Sequence, residues 1–325
     1  MHGLVIRNTG YSYTVKSDAG EVFDCKVKGN FRIRGIRTTN PVAIGDKVTF
    51  VPQEVEADIE QARQGLIVEL DDRKNYIIRK STNLSKQSHI IAANVDMCFL
   101  VVTVNQPETP LQFIDRFLAS AEAYRVPVTL VFNKIDLVHP AENEEDIDWK
   151  AYLDGVVNLY ETVGYPCRRI SATTGEGVEA LRDELAGKVT LLSGNSGVGK
   201  STLINTLFPN LNLRTSEISD AYNTGKHTTT FSEMYAVDDQ GGYIIDTPGI
   251  KGFGTFDMKR EEVGHYFREI FRTSADCRFS NCTHTHEPHC AVREAVERHD
   301  IAESRYNSYL SMLDDENEDR YRAAY

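Results

Sequence analysis

The sequence of 325 residues has no run of eighteen or more apolar residues, which excludes a helical membrane span. Its opening, MHGLVIRNTGYSY, shows no basic segment leading into an apolar stretch and a small-residue cleavage site. No secretory signal is read there, and a cytoplasmic protein without membrane partners is expected. Cysteine is sparse: Cys25, Cys98 and Cys167 stand alone and read as small buried hydrophobes. Net positive charge is lacking as well, since the formal charge is −12, which on its face argues against a nucleic-acid partner. That deficit is uneven. The first fifty residues carry Arg7, Lys16, Lys26, Lys28, Arg32, Arg34, Arg37 and Lys47 against only Asp18, Glu21, Asp24 and Asp46. The acidity is concentrated in AENEEDIDW and DDENED, so a local basic surface survives.

With 41% hydrophobic and 26% charged residues, a chain of this length is globular and favours two or three domains. Residues 1–70 alternate apolar and polar positions in short runs such as YSYTVKS, EVFDCKVKG and DKVTFVP, broken by glycines. That pattern predicts an OB-like β-barrel of about five strands, a scaffold whose faces and loops hold RNA. The basic FRIRGIR falls within it, either as an RNA contact or as a solvated strand face. Residues 71–257 read as a doubly wound α/β domain. VDMCFLVVTV and PVTLVF are continuous apolar strands, with the helically spaced LQFIDRFLASAEAYRV between them. Residues 258–325 read as helical, with VGHYFREIF and AVREAVERHDIAESRYNSYLSML on either side of a Cys/His-rich loop, and a frayed last dozen residues.

GNSGVGKS, Gly194 to Ser201, fits G-x-x-x-x-G-K-S between the strand VTLLS and the helix STLINTLF, so it predicts a phosphate loop. Gly194, Asn195, Ser196, Gly197, Val198 and Gly199 would wrap backbone N–H groups around phosphate, continued by Thr202. Lys200 would reach the β- and γ-phosphates and Ser201 would ligate Mg²⁺. In DTPG, Asp246 would hold the magnesium through water and Gly249 would donate to the γ-phosphate. NKID closes the strand TLVF: Asp136 would accept from guanine N1–H and the 2-amino group together, a pair that adenine lacks. Asn133 would brace base and loop, Lys134 would cover the base plane, and Ser171 and Ala172 of SAT would offer N–H groups near guanine O6. The polar GKHTTT stretch reads as a switch loop. Thr229 is the expected magnesium ligand, with Thr228 and Thr230 as alternatives. Ile250 stands where many GTPases carry a water-orienting glutamine a residue or so further on. His227 is therefore the candidate to place the water, the alternative being a solvent-facing loop histidine.

Cys277, Cys282, His284 and Cys290 spell C-x₄-C-x-H-x₅-C, the ligand set of a closed structural zinc site, with His286 and His289 as alternatives to His284. A bound metal would supply folding energy that so short a polar loop lacks.

The order NKID, SA, GNSGVGKS, threonine loop, DTPG is a circular permutation of the usual GTPase order, G4-G5-G1-G2-G3. With a barrel before it and a Cys/His module after it, the whole chain resembles the bacterial circularly permuted GTPases that assist maturation of the small ribosomal subunit. The resemblance implies a GTPase strongly stimulated by the 30S subunit. It would act late, as a checkpoint at the decoding region, and help to release other assembly factors. It also implies that barrel and zinc module contact 16S rRNA, that His227 is catalytic, and that Ile250 is the hydrophobic replacement for glutamine. A monomer is expected. Two rivals share many of these residues: a permuted GTPase of the large subunit, and a nucleotide-gated RNA-binding scaffold with negligible turnover. An ATPase is disfavoured by Asp136.

Overall fold

The computed structural model describes residues 1–27, 41–53, 63–80, 88–143, 146–211, 233–238, 241–246 and 258–321. The first five strands are β1 (His2–Asn8), β2 (Tyr13–Ser17), β3 (Val22–Val27), β4 (Lys47–Gln53) and β5 (Gln64–Leu70). Their two-residue alternation turns Val5, Tyr13, Val15, Phe23, Cys25, Val48, Phe50 and Ile67 into one interior. Hydrogen bonding runs β1-β2-β3-β5-β4 and returns from β4 to β1, with β3 and β5 parallel and every other pair antiparallel. This is the expected OB-like barrel. Its strands approach closely: a Cβ on Gly65 would lie 2.7 Å from Cys25 Sγ. FRIRGIR, residues 31–37, lies outside the described residues.

A hairpin of β6 (Tyr76–Lys80) and β7 (Ser88–Ala93) follows, which the alternation argument did not anticipate. It is fastened to the barrel by an Ile44↔Ala92 bridge and by Asn94, whose amide donates to Gly45 O at 2.9 Å. Just before the hairpin, Arg73 reaches the buried Asp46 through Nε (2.7 Å) and Nη2 (2.6 Å).

The α/β unit comprises β8 (Met97–Val102), α1 (Leu111–Ala123), β9 (Val128–Phe132), α2 (Trp149–Val163), β10 (Cys167–Arg169), α3 (Val178–Leu185), β11 (Val189–Ser193), α4 (Lys200–Leu207), β12 (Glu233–Ala236) and β13 (Tyr243–Asp246). Its sheet is ordered β10-β9-β8-β11-β13-β12, parallel except for β12. Both faces are covered, which is why β8 and β9 read as unbroken apolar runs. Cys98, Leu100 and Val102 face the cluster that includes α1 and α2, whereas Phe99 and Val101 face the one that includes α3 and α4. The outer strand β12 also bonds β1, with Arg7 opposite Glu233, so barrel and α/β sheet form one continuous sheet.

The C-terminal part holds a 3₁₀ turn (Arg260–Tyr266), α5 (Arg268–Ser274), α6 (Ala291–Glu297) and α7 (Glu303–Tyr321). The segment 291–313 is two helices rather than one run, because His299 takes a left-handed φ of 64° after α6. The expectation of a frayed last dozen is corrected too. α7 continues to Tyr321, so residues 314–321 of that dozen are helical, and 322–325 lie outside the described residues. Phe267, Ile270, Val292, Tyr309 and Met312 pack in one cluster with Ala119 of α1. At that junction Arg305, 1% exposed, bonds Asp115 of α1 at 2.8 Å and Glu269 of α5 at 2.7 Å. Among the described residues no helix is long and apolar enough to cross a membrane.

Candidate nucleotide site and metal centre

In open parallel sheets ligands gather at the carboxyl edge of the strands. Here β8, β9, β10, β11 and β13 deliver to that edge the loop 103–110, NKID, SAT, the glycine loop and Asp246 respectively. Gly194 leaves β11 with φ +146°, and a Cβ there would sit 2.2 Å from Val101 O. Gly199, at φ +95°, precedes α4, and its Cβ would sit 2.4 Å from Asn133 Nδ2. Neither position accepts a side chain, so both the turn and its close approach to NKID depend on glycine. α4 starts at Lys200 with no side-chain cap, which leaves its leading N–H groups, Lys200 to Thr202, without intrahelical acceptors. Such a helix end attracts anions.

Lys200 is buried, and its Nζ donates to Gly194 O and Asn195 O, both at 2.7 Å. Burial pulls its ammonium down to about 8, partly offset by Asp246. A phosphate group among the loop N–H groups would favour the charged form again. Asp246 ends β13, in register with Leu192 on one side and Glu233 on the other.

Asn133 ties the loops together. Its Nδ2 donates to Val198 O at 2.8 Å, and its Oδ1 accepts from Ala172 N at 2.9 Å. Ser171 N donates to Glu176 O, and Ser171 Oγ accepts from Thr174 N. The N–H groups expected near guanine O6 are thus already shaping the SAT turn. Lys134 adopts a left-handed φ of 63°, and its Nζ bridges Gln106 O (2.5 Å) and Gly197 O (2.8 Å). Desolvation lowers its pKa, opposed by Asp136. Asp136 lies in the 3₁₀ turn Ile135–Leu137, and its Oδ1 is buried without a hydrogen-bond partner. An acceptor in that state is costly unless a ligand donor meets it.

His227, Thr228, Thr229, Thr230, Gly249 and Ile250 lie outside the described residues. Sequence reasoning passed over the 103–110 loop, which carries no motif: it meets Lys134 only through a backbone carbonyl.

In the C-terminal part the ligand atoms of Cys277, Cys282, His284 and Cys290 all lie within 4.8 Å of one another. Cys277 Sγ is 4.0 Å from Cys290 Sγ and 3.6 Å from His284 Nδ1, and Cys290 Sγ is 3.4 Å from that nitrogen. A tetrahedral ion with metal–sulfur bonds of about 2.3 Å sets such edges at about 3.8 Å, so the four residues fit one metal. Burial lowers the His284 pKa, keeping the imidazole neutral and its lone pair available. His286 instead meets Thr285 Oγ1 at 2.8 Å, and neither His286 nor His289 belongs to the cluster. Glu287, also missed in sequence, shapes the loop by accepting from Thr283 N, Thr283 Oγ1 and Thr285 N. Those bonds hold its carboxyl well below the usual range.

A glycine loop opening a helix, NKID at the end of β9 and a strand-end aspartate, in permuted order on one sheet edge, define a circularly permuted P-loop GTPase. Residues 70–256 match the model of the RsgA GTPase family, and residues 2–67 match that of the RsgA N-terminal domain. The chain is 62% identical over 325 residues, the full length of both, to a Bacteroides thetaiotaomicron protein named small ribosomal subunit biogenesis GTPase RsgA 2. A Porphyromonas gingivalis protein named small ribosomal subunit biogenesis GTPase RsgA is 55% identical, again over 100% of both chains. Among solved structures, YjeQ from Thermotoga maritima shares 36% identity at a TM-score of 0.71 over 96% of each chain. YloQ, described as a circularly permuted GTPase, shares 27% at 0.68 over 99% of this chain and 95% of its own. The chain belongs to the RsgA GTPase family and is a GTP-hydrolysing enzyme.

Proposed function

We propose that this GTPase acts in the cytoplasm as a late maturation factor and checkpoint of the small ribosomal subunit, binding 16S rRNA and hydrolysing GTP under stimulation by the 30S particle. The observation that carries the reading is end-to-end similarity to relatives whose names specify small-subunit biogenesis, in a chain that bonds an OB-like barrel directly to a permuted nucleotide site. Residues 1–70 would be the RNA-binding barrel, 71–257 the GTPase domain and 258–325 the zinc module, working as a monomer and helping other assembly factors to leave.

In this reading the orphaned Asp136 carboxylate oxygen accepts from guanine, and the Lys134 stem, held at its far end, covers the base. Asn133 locks base loop to phosphate loop. Lys200 turns from the Gly194 and Asn195 carbonyls toward the β- and γ-phosphates, stabilising charge as the γ-phosphoryl leaves. Ser201, Thr229 and Asp246 would hold Mg²⁺, which supplies charge neutralisation at the β- and γ-oxygens when bound. Gly249 would donate to the γ-phosphate and His227 would orient the attacking water. Cys277, Cys282, His284 and Cys290 would hold one zinc ion, which suits a three-thiolate, one-imidazole set and adds folding energy to the loop.

The test is GTP hydrolysis by the purified protein alone, with 30S and with 50S subunits, with ATP as control. Stimulation by 30S alone is expected. Preferential stimulation by 50S would move the reading to the large subunit, and no stimulation by either would turn it into a nucleotide-gated scaffold.

A further inference from the structure

The segment between β8 and α1 carries none of the nucleotide motifs, yet it forms a third wall of their site. Thr103 and Thr109 are both buried and fold it into a closed turn. Thr109 N donates to Thr103 O at 2.8 Å, Thr103 N donates to Thr109 Oγ1 at 3.2 Å, and Thr103 Oγ1 donates to Pro107 O. The turn presents two things to the site. Gln106 O accepts from Lys134 Nζ at 2.5 Å, the same ammonium that bonds Gly197 O of the phosphate loop. The Pro107 ring stands against Gly197, where a Cβ would meet its Cδ at 3.5 Å.

From this geometry we propose that Thr103 is a positioning residue for nucleotide binding, acting through the Gln106 carbonyl on Lys134. The inference rests on the reading that Lys134 lines the guanine pocket. A lysine stem has four rotatable bonds, and holding it across a base requires its ammonium to be fixed at the far end. Gly197 O supplies one anchor, from the glycine loop. Gln106 O supplies the other, and its position depends on the Thr103 hydroxyl, the side-chain donor that clamps Pro107. The Thr103 hydroxyl touches neither base nor phosphate, so it acts on nucleotide affinity and equally on di- and triphosphate.

The experiment measures the affinity of full-length protein for mant-GDP and mant-GTP, and the KM for GTP, in Thr103→Val, Thr103→Ser, Lys134→Met and the double variant Thr103→Val/Lys134→Met. Loss of one buried hydrogen bond predicts roughly five- to tenfold weaker binding of both nucleotides and a matching rise in KM for Thr103→Val. Affinity should return with Thr103→Ser, which keeps the hydroxyl. In the Lys134→Met background Thr103→Val should cost less than twofold more. Full additivity in the double variant, or unchanged affinity in Thr103→Val while Lys134→Met binds weakly, overturns the inference alone. Unchanged affinity in Lys134→Met overturns the guanine-pocket reading beneath it.

Discussion

A buried arginine, Arg305, bridges the α/β domain and the C-terminal helices, and replacing it should open that junction selectively. Arg305 Nε and Nη2 engage Glu269 at 2.7 and 3.1 Å, and its Nη1 donates to Asp115 Oδ1 at 2.8 Å. Tyr160 OH donates to that same oxygen, and the guanidinium lies 4.7 Å from the Phe267 ring centroid. Arg305→Met fills similar volume but leaves two carboxylates without their cation in a dry interface. A buried pair broken from one side costs about 3–5 kcal/mol. At about 1.4 kcal/mol per power of ten, amides of α5 and α6 should lose two to three and a half powers of ten in hydrogen-exchange protection. The neighbouring bonds of Gln112 and Arg116 to Ser311 Oγ, at 2.6 and 2.7 Å, are more exposed, so Ser311→Ala should cost about 1 kcal/mol. Replacing all three charges together (Asp115→Leu, Glu269→Leu, Arg305→Met) should recover most of the protection, because the loss comes from stranded charge. A drop of less than tenfold in Arg305→Met, or an equal drop in Ser311→Ala, would refute this account of the junction.

The nucleotide and metal sites make further predictions. Asp136→Asn should weaken GTP binding by about a hundredfold or more and shift preference toward xanthosine triphosphate, measured by competition against mant-GDP. Burial holds Lys200 at about 8, so it discharges in nucleotide-free protein as pH rises while bound phosphate keeps it charged. GDP affinity should therefore fall about fourfold from pH 7 to pH 8.5, with proton uptake on binding seen by calorimetry in buffers of different ionisation enthalpy. Gly199→Ala, which forces a Cβ within 2.4 Å of Asn133 Nδ2 at a left-handed φ, should abolish detectable mant-GDP binding while leaving metal content intact. Metal analysis should find one zinc per chain, lost in Cys290→Ala, with exchange protection falling around residues 277–290.

What could be read from sequence was whatever one segment specifies by itself. β8 and β9 announce burial on both faces through unbroken apolar residues, and the barrel strands announce their single interior through alternation. The glycine loop is legible because its backbone needs φ values that few residues other than glycine take, as Gly194 and Gly199 show. The C-x₄-C-x-H-x₅-C spacing is legible because four ligands must reach one point, and the fold chose His284 over His286 and His289 by burying it beside Tyr309. What stayed hidden depends on partners far along the chain. Arg305 looks like any surface arginine of a polar helix until α7 lies against α1, 190 residues earlier. Thr103 and Thr109 read as ordinary loop residues until Lys134 reaches Gln106 O, a carbonyl every residue type possesses. The same limit explains the β1 to β12 pairing: neither Arg7 nor Glu233 marks its strand as an edge to be shared. Yet through that pairing the barrel bonds the strand hairpin that ends in Asp246. Permutation leaves the nucleotide motifs together and changes what is bonded to them: the barrel pairs with the strand beside Asp246, whereas the helices beyond residue 258 pack against α1, which follows β8 in the middle of the sheet.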